Sequence, residues 1–169
     1  DNALCVWDDR HAAAPALTLR RHRSAVKAIA WCPWQRGLLA SGGGCADGML
    51  RFWNAQTGEC LQAVDTHSQV CALDWSRHDR ELVSGHGPPL NRIVVWRYPS
   101  MTKLAELSGH TNRVLHLTQA PDGETVASAG ADETLRFWKV FSRPGAADKR
   151  RRTDWGAGLS DAAHTPSIR

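Results

Sequence analysis

ADETLRFW, residues 131–138, alternates at period two from Thr134 onward, with Leu135 and Phe137 on one side of an extended chain and Arg136 and Trp138 on the other. Two acids, Asp132 and Glu133, stand directly before that alternation. Related runs ending in tryptophan occur as LCVWDD, LRFWNA and IVVWRY, so Trp7, Trp53, Trp96 and Trp138 are spaced by 46, 43 and 42 residues. A period in the low forties, with several short strands in each unit, is the signature of a β-propeller of WD repeats.

The text between the tryptophans fits that period. AVKAIAW, GLLASGG, MLRFWNA and ECLQAVD read as four strands, joined by PWQRG, GCADG and QTG, whose Gly, Pro and Asp suit hairpin turns. QVCALDW, ELVSG, RIVVWRY and KLAELS repeat the unit, and RVLHLTQ, TVASAG and TLRFWKV give three strands of another. ALCVW and ALTLR supply the last two strands of an earlier blade. The expectation is an all-β fold: a partial WD-repeat propeller over residues 1–142, about three and a half blades of a ring of seven, continuing upstream of Asp1 in the native protein.

Residues 143–169 are different in kind. SRPGAADKRRRTDWGAGLSDAAHTPSIR, from Ser142 on, is small and polar, which predicts a flexible basic tail. Residues 143–169 carry six basic and three acidic side chains, against fifteen and fourteen in residues 1–142. The high pI belongs to the tail, and the near-neutral body lacks the basic stripe of a nucleic-acid binder. No apolar run is long enough to span a bilayer as a helix, so no membrane partner is expected. Cys5, Cys32, Cys45, Cys60 and Cys71 form no Cys-x-x-Cys, which predicts reduced thiols, no metal, and a cytoplasmic and nuclear location.

Asp132 has a structural reading. In WD repeats a histidine ahead of the first strand, a Ser on the second, an Asp in the next turn and the tryptophan form a hydrogen-bonded chain that satisfies buried polar groups. His22, Ser41, Asp47 and Trp53 provide one set, and His110, Ser128, Asp132 and Trp138 another, each with Asp six residues before Trp. The middle unit departs, with His67 one place closer to its strand and Asn91 in place of Asp. Recurrence at repeat spacing argues against a Ser-His-Asp hydrolase. No nucleophile elbow, P-loop or dinucleotide fingerprint is present, so no enzyme and no cofactor are expected.

HRSAVKAIAWCPWQRGLLASGGGCADGMLRFWN, DTHSQVCALDWS, ELVSGHG, VVWRYPSMTKLAELSGHTNRVL and PDGETVASAGADETLRFW closely resemble the Fizzy family of anaphase-promoting-complex activators. WCPWQ, DTHSQVC and VSGHG look nearer to its mitotic Fizzy branch, and the whole looks like the carboxyl-terminal part. The resemblance implies a non-catalytic, mitotic substrate receptor of a ubiquitin ligase, which binds destruction-box and Lys-Glu-Asn degrons. Asn2, Cys45, Gln69 and Arg113 match positions that contact the Lys-Glu-Asn peptide, with Arg113 on its glutamate. Glu133 matches the acid that takes the destruction-box arginine. Ile168 and Arg169 match a terminal pair that inserts into a TPR-repeat subunit of the complex. Implied partners are that complex, degron-bearing substrates and, as further candidates, spindle-checkpoint proteins. The alternative is a WD scaffold of an unrelated assembly, which shares the period without these site residues.

Overall fold

The computed structural model describes residues 2–11 and 13–142. The segment 143–169, with the tail and its Ile168 and Arg169, lies outside the described residues. Thirteen strands form four antiparallel sheets, and no helix is present among the described residues. β1 (Leu4–Val6) and β2 (Leu17–Leu19) pair alone. The next blade runs in order through β3 (Val26–Trp31), β4 (Leu38–Gly43), β5 (Met49–Asn54) and β6 (Cys60–Asp65). The middle blade is β7 (Val70–Trp75), β8 (Glu81–His86), β9 (Ile93–Arg97) and β10 (Thr102–Leu107). The last has three strands, β11 (Val114–Gln119), β12 (Thr125–Gly130) and β13 (Leu135–Lys139).

The blades stack face to face because their strands alternate. Leu38, Ala40, Leu50 and Phe52 meet Val70, Leu73, Trp75, Leu82 and Val94 in one core layer. Val83, Ile93 and Val95 turn the other way, onto Val114, Val126 and Phe141. The unbroken apolar run Ile93-Val94-Val95 is thus explained by a strand buried on both faces. Leu4 and Leu19 cover Leu39 and Trp53 of the neighbouring blade. First strands lie side by side: the Trp75 indole N–H donates to the Ala30 carbonyl (3.1 Å), and the Gln119 N–H donates to Asp74 Oδ2 (3.1 Å). The face of β3 turned away from the middle blade leaves Ile29 and Trp31 60% and 55% exposed. Trp7 is 56% exposed just past β1 and joins no polar chain among the described residues.

Inside each larger blade a serine collects the tryptophan. The indole N–H donates to Ser41 Oγ from Trp53 (2.7 Å), to Ser84 Oγ from Trp96 (2.8 Å) and to Ser128 Oγ from Trp138 (2.8 Å). His22 and His110 sit on the serines through Nε2 (2.7 and 2.8 Å) and on Asp47 and Asp132 through Nδ1 (2.5 and 2.9 Å). Burial alone would raise both carboxyls. Hydrogen bonds from His22 and the Arg23 N–H outweigh it at Asp47, and those from the Thr111 N–H, Thr134 and His110 do so at Asp132, which is held far below the usual range.

The middle blade solves the same problem with different residues. His67 is exposed and lies by Asp65, outside the chain. Its place is taken by His86, on β8 itself, whose Nε2 is 2.7 Å from Ser84 Oγ. Register puts His86 opposite Val70, where the other blades put Gly43 opposite Val26 and Gly130 opposite Val114. A Cβ on Gly43 would come within 1.9 Å of Asp47 Oδ2, and one on Gly130 within 2.5 Å of both His110 Nδ1 and Asp132 Oδ1. Two blades therefore need glycine there to admit a histidine–aspartate pair; the third fills that space with the imidazole. Asn91 does not replace the aspartate, as the sequence suggested. Leu90 stands six residues before Trp96, and Asn91 holds the next position.

Candidate ligand-binding rim

One edge of every blade is formed by the turn between its second and third strands and the link into its first. Backbone bonds stitch these together: Gly44 N–H to the Ala25 carbonyl (2.8 Å), Gly87 to Gln69 (3.0 Å) and Ala131 to Arg113 (2.9 Å). Links then fasten to the preceding blade through Thr66 N–H to the Gly48 carbonyl (3.0 Å), and Ser68 Oγ reaches its own blade's turn at the Gly87 carbonyl (2.7 Å). The result is a continuous rim on one face, and Ala25, Gln69 and Arg113 occupy the same place in three successive blades.

Directly after those residues each first strand carries a β-bulge, between Val26 and Ala28, Val70 and Ala72, and Val114 and His116. A bulge inserts an unpaired residue and re-aims side chains at an edge. The extra residues are Lys27, Cys71 and Leu115.

Cys45 and Gln69 meet. The Cys45 thiol donates to Gln69 Oε1 at 3.1 Å, which fixes the amide so that its NH2 remains as donor. Gln69 is only 5% exposed, packed among its neighbours. A Cβ on Gly87 would touch both Gln69 Oε1 (3.3 Å) and Cys71 Sγ (3.5 Å), so the Cys71 thiol flanks the same amide. Burial pushes that thiol up, while the nearby Arg113 and Lys27 cations pull it down and lose. Arg113 is exposed, and its guanidinium has no partner among the described residues, while its backbone N–H donates to Asn112 Oδ1 (2.8 Å). Asn2 stands apart from this trio, its amide donating to the Arg23 carbonyl (3.2 Å).

Glu133 is not in contact with the trio. Its position, five residues before the tryptophan, recurs in each blade and is held by Asn2 (φ 58°), Gly48 (60°), Asn91 (46°) and Glu133 (61°). Left-handed backbone is routine for glycine and tolerated by asparagine, but uncommon for glutamate. The Glu133 carboxylate is exposed and makes no hydrogen bond or ion pair among the described residues. An acid thus occupies a strained position that the sister turns give to Asn or Gly, a feature invisible without backbone angles. Asn91 donates to the Thr111 carbonyl (3.3 Å), as Asn2 does to the Arg23 carbonyl two links earlier.

A family model for the CDC20/Fizzy WD40 domain matches residues 1–138. The chain belongs to the CDC20/Fizzy family. Relatives include "Cell division cycle 20.1, cofactor of APC complex" from Arabidopsis thaliana, 55% identical over 88% of this chain, and "Anaphase-promoting complex subunit cdc20" from Dictyostelium discoideum, 57% identical over 85%. "Protein FIZZY-RELATED 2" of Arabidopsis thaliana is 52% identical over 95%. The chain spans about a third of the length of these relatives, 34%, 29% and 32% respectively. A chain in a crystal structure of a mitotic checkpoint complex superposes with a TM-score of 0.80 at 45% identity, over 84% of this chain and 45% of that one. The fold is a WD40 propeller segment in this family's form.

Proposed function

We propose that this chain is the degron-reading part of a mitotic, non-catalytic activator of the anaphase-promoting complex, working in cytoplasm and nucleus. The observation that carries the reading is the unpartnered Arg113 guanidinium on the same rim as the Cys45–Gln69 pair. A planar cation beside an oriented amide suits a peptide carboxylate flanked by polar groups, as in Lys-Glu-Asn. Asn2 contributes a further amide to that peptide. Glu133, held exposed in its strained turn, receives the destruction-box arginine. Relatives named as cofactors of the APC complex support the ligase as partner. Ile168 and Arg169 dock in a TPR-repeat subunit, and checkpoint proteins compete on the same propeller.

Titration of the full chain with a Lys-Glu-Asn peptide tests the rim. Arg113→Ala is expected to weaken binding at least tenfold, on the order of 1.5–3 kcal/mol for a hydrogen bond to a charged group. Equal affinity of wild type and variant would remove Arg113 from the site. Deleting Ile168 and Arg169 is expected to reduce recruitment to the complex while sparing peptide binding; unchanged recruitment excludes a docking role for the pair.

A further inference from the structure

The rim carries a second cation that the degron reading leaves unused. Lys27 is the extra residue of the β3 bulge, in the same place as Cys71 of the middle blade. It is exposed and forms no hydrogen bond or ion pair among the described residues. Both Lys27 and Arg113 lie close enough to Cys71 to act electrostatically on its thiol, one from each neighbouring blade. Between them sits a neutral thiol, which compensates neither charge.

Glu133, exposed in the turn of the Arg113 blade, pairs with neither cation, and the other nearby acids are committed. Asp47 and Asp132 are tied to His22 and His110, Asp65 lies by His67, and Glu106 is paired with Arg92 and Lys103. Two cations from the blades on either side of Cys71, neither in an ion pair among the described residues, therefore leave positive charge on the rim open to a ligand.

We propose that Lys27 and Arg113 together form a cradle for a doubly anionic peptide, in which Arg113 holds the degron glutamate and Lys27 a second anionic group, carboxylate or phosphate, flanking it. This rests on the rim reading above and adds a preference for acidic or phosphorylated sequence beside the Lys-Glu-Asn core. The two cations suit different tasks. Guanidinium fixes a carboxylate through two parallel bonds, whereas an ammonium on a flexible stem is a point charge that follows an anion whose position varies. The bulge supports this division, because it turns Lys27 out of the ladder pairing that would fix its direction.

The test is fluorescence anisotropy on the full chain with three peptide sets. One holds Lys-Glu-Asn in neutral flanks, one places Asp at each of the three positions on either side, and one places phosphoserine there. At one flanking position the acid should tighten binding about threefold to fivefold, as for a surface ion pair, and phosphoserine more. The gain should disappear in Lys27→Ala and Lys27→Gln and shrink in high salt, with the neutral peptide unaffected by either substitution. Gain with Asp and phosphoserine alike identifies simple charge as the recognised feature; gain with phosphoserine alone identifies phosphate. No gain at any position, or equal loss of neutral and acidic peptides in Lys27→Ala, overturns the cradle. Failure of the neutral peptide with retained, Lys27-dependent phosphopeptide binding overturns the rim reading and keeps the cradle; failure of every peptide overturns both.

Discussion

His86 Nε2 lies 2.7 Å from Ser84 Oγ, two residues away on the same strand, and so completes a chain that in the flanking blades draws its histidine from 18 or 19 residues away. The local solution has a consequence for charge. His22 and His110 each face a carboxylate, but His86 faces none, and its Nδ1 has no well-formed hydrogen bond, with only the Gln69 carbonyl toward it. Burial foremost, with Lys103 and Arg92 adding repulsion that Glu106 partly offsets, lowers this imidazole to about 4. The middle blade therefore holds a neutral histidine.

That makes stability acid-sensitive over a defined window. An unfolded histidine titrates near about 6.5 and folded His86 near 4, so between those values the unfolded chain binds the extra proton. Stability should be level above pH 6.5 and fall progressively toward pH 4, by roughly 3 kcal/mol at the limit from this group alone. Urea unfolding at pH 7.0 and 5.0 measures it. His86→Ala should be less stable at pH 7 yet lose less on acidification; an identical pH slope in both proteins would assign the acid response elsewhere. Asp47 and Asp132 act in a lower window. Their depressed carboxyls contribute fully above the unfolded value of about 3.9, and the contribution is lost only as pH falls through their folded values.

The glycines opposite the bulges should be as intolerant as the histidines. Gly130→Ala places a methyl 2.5 Å from His110 Nδ1 and Asp132 Oδ1, both on a buried pair that cannot give way without breaking. A loss of about 1–3 kcal/mol is expected, the usual range for overpacking, with a lowered melting temperature as readout. A neutral outcome would mean that the pair has room the distances deny.

Much of this was legible in the sequence and some could not be. Tryptophans at 46, 43 and 42 residues set the blades, and spacing alone located His22–Asp47 and His110–Asp132. The middle blade misled because a search for histidine ahead of the strand finds His67, while the working His86 sits where sister blades carry glycine. One-residue arithmetic then assigned Asn91 to the wrong position. What identifies it is a left-handed φ shared with Asn2, Gly48 and Glu133, a backbone property that residue type only hints at. The bulge that sets Lys27 apart is likewise a register fact, with no signature in AVKAIAW itself.

Cys45 offers a gain-of-binding test. Its thiol, a weak donor, is the group that meets Gln69 Oε1 at 3.1 Å. A threonine there supplies a stronger hydroxyl donor and acceptor at similar size. Cys45→Thr should tighten Lys-Glu-Asn peptide binding by up to about 1 kcal/mol, roughly fivefold, the net value of one neutral hydrogen bond. Isothermal titration against the same peptide decides it, and weaker binding would show that the thiol itself is preferred.

Glu133 separates stability from binding in one substitution. At φ 61° an L side chain other than Asn or Asp is strained, and nothing around Glu133 within the described residues offsets that strain with a hydrogen bond to the carboxylate. The other blades show the relaxed choice, since Asn2 and Asn91 sit at the same place with φ 58° and 46°. Glu133→Asn should therefore raise the unfolding free energy by about 1 kcal/mol, the lower end of the cost of a left-handed non-glycine residue. The same change removes the carboxylate and should weaken an Arg-x-x-Leu peptide. Glu133→Gln keeps most of the strain and loses the charge, so it should match wild type in stability and Asn in binding. If Glu133→Asn gains stability and leaves the peptide affinity unchanged, the acid has no part in reading arginine; if it loses stability, the turn is held by interactions that its geometry does not reveal.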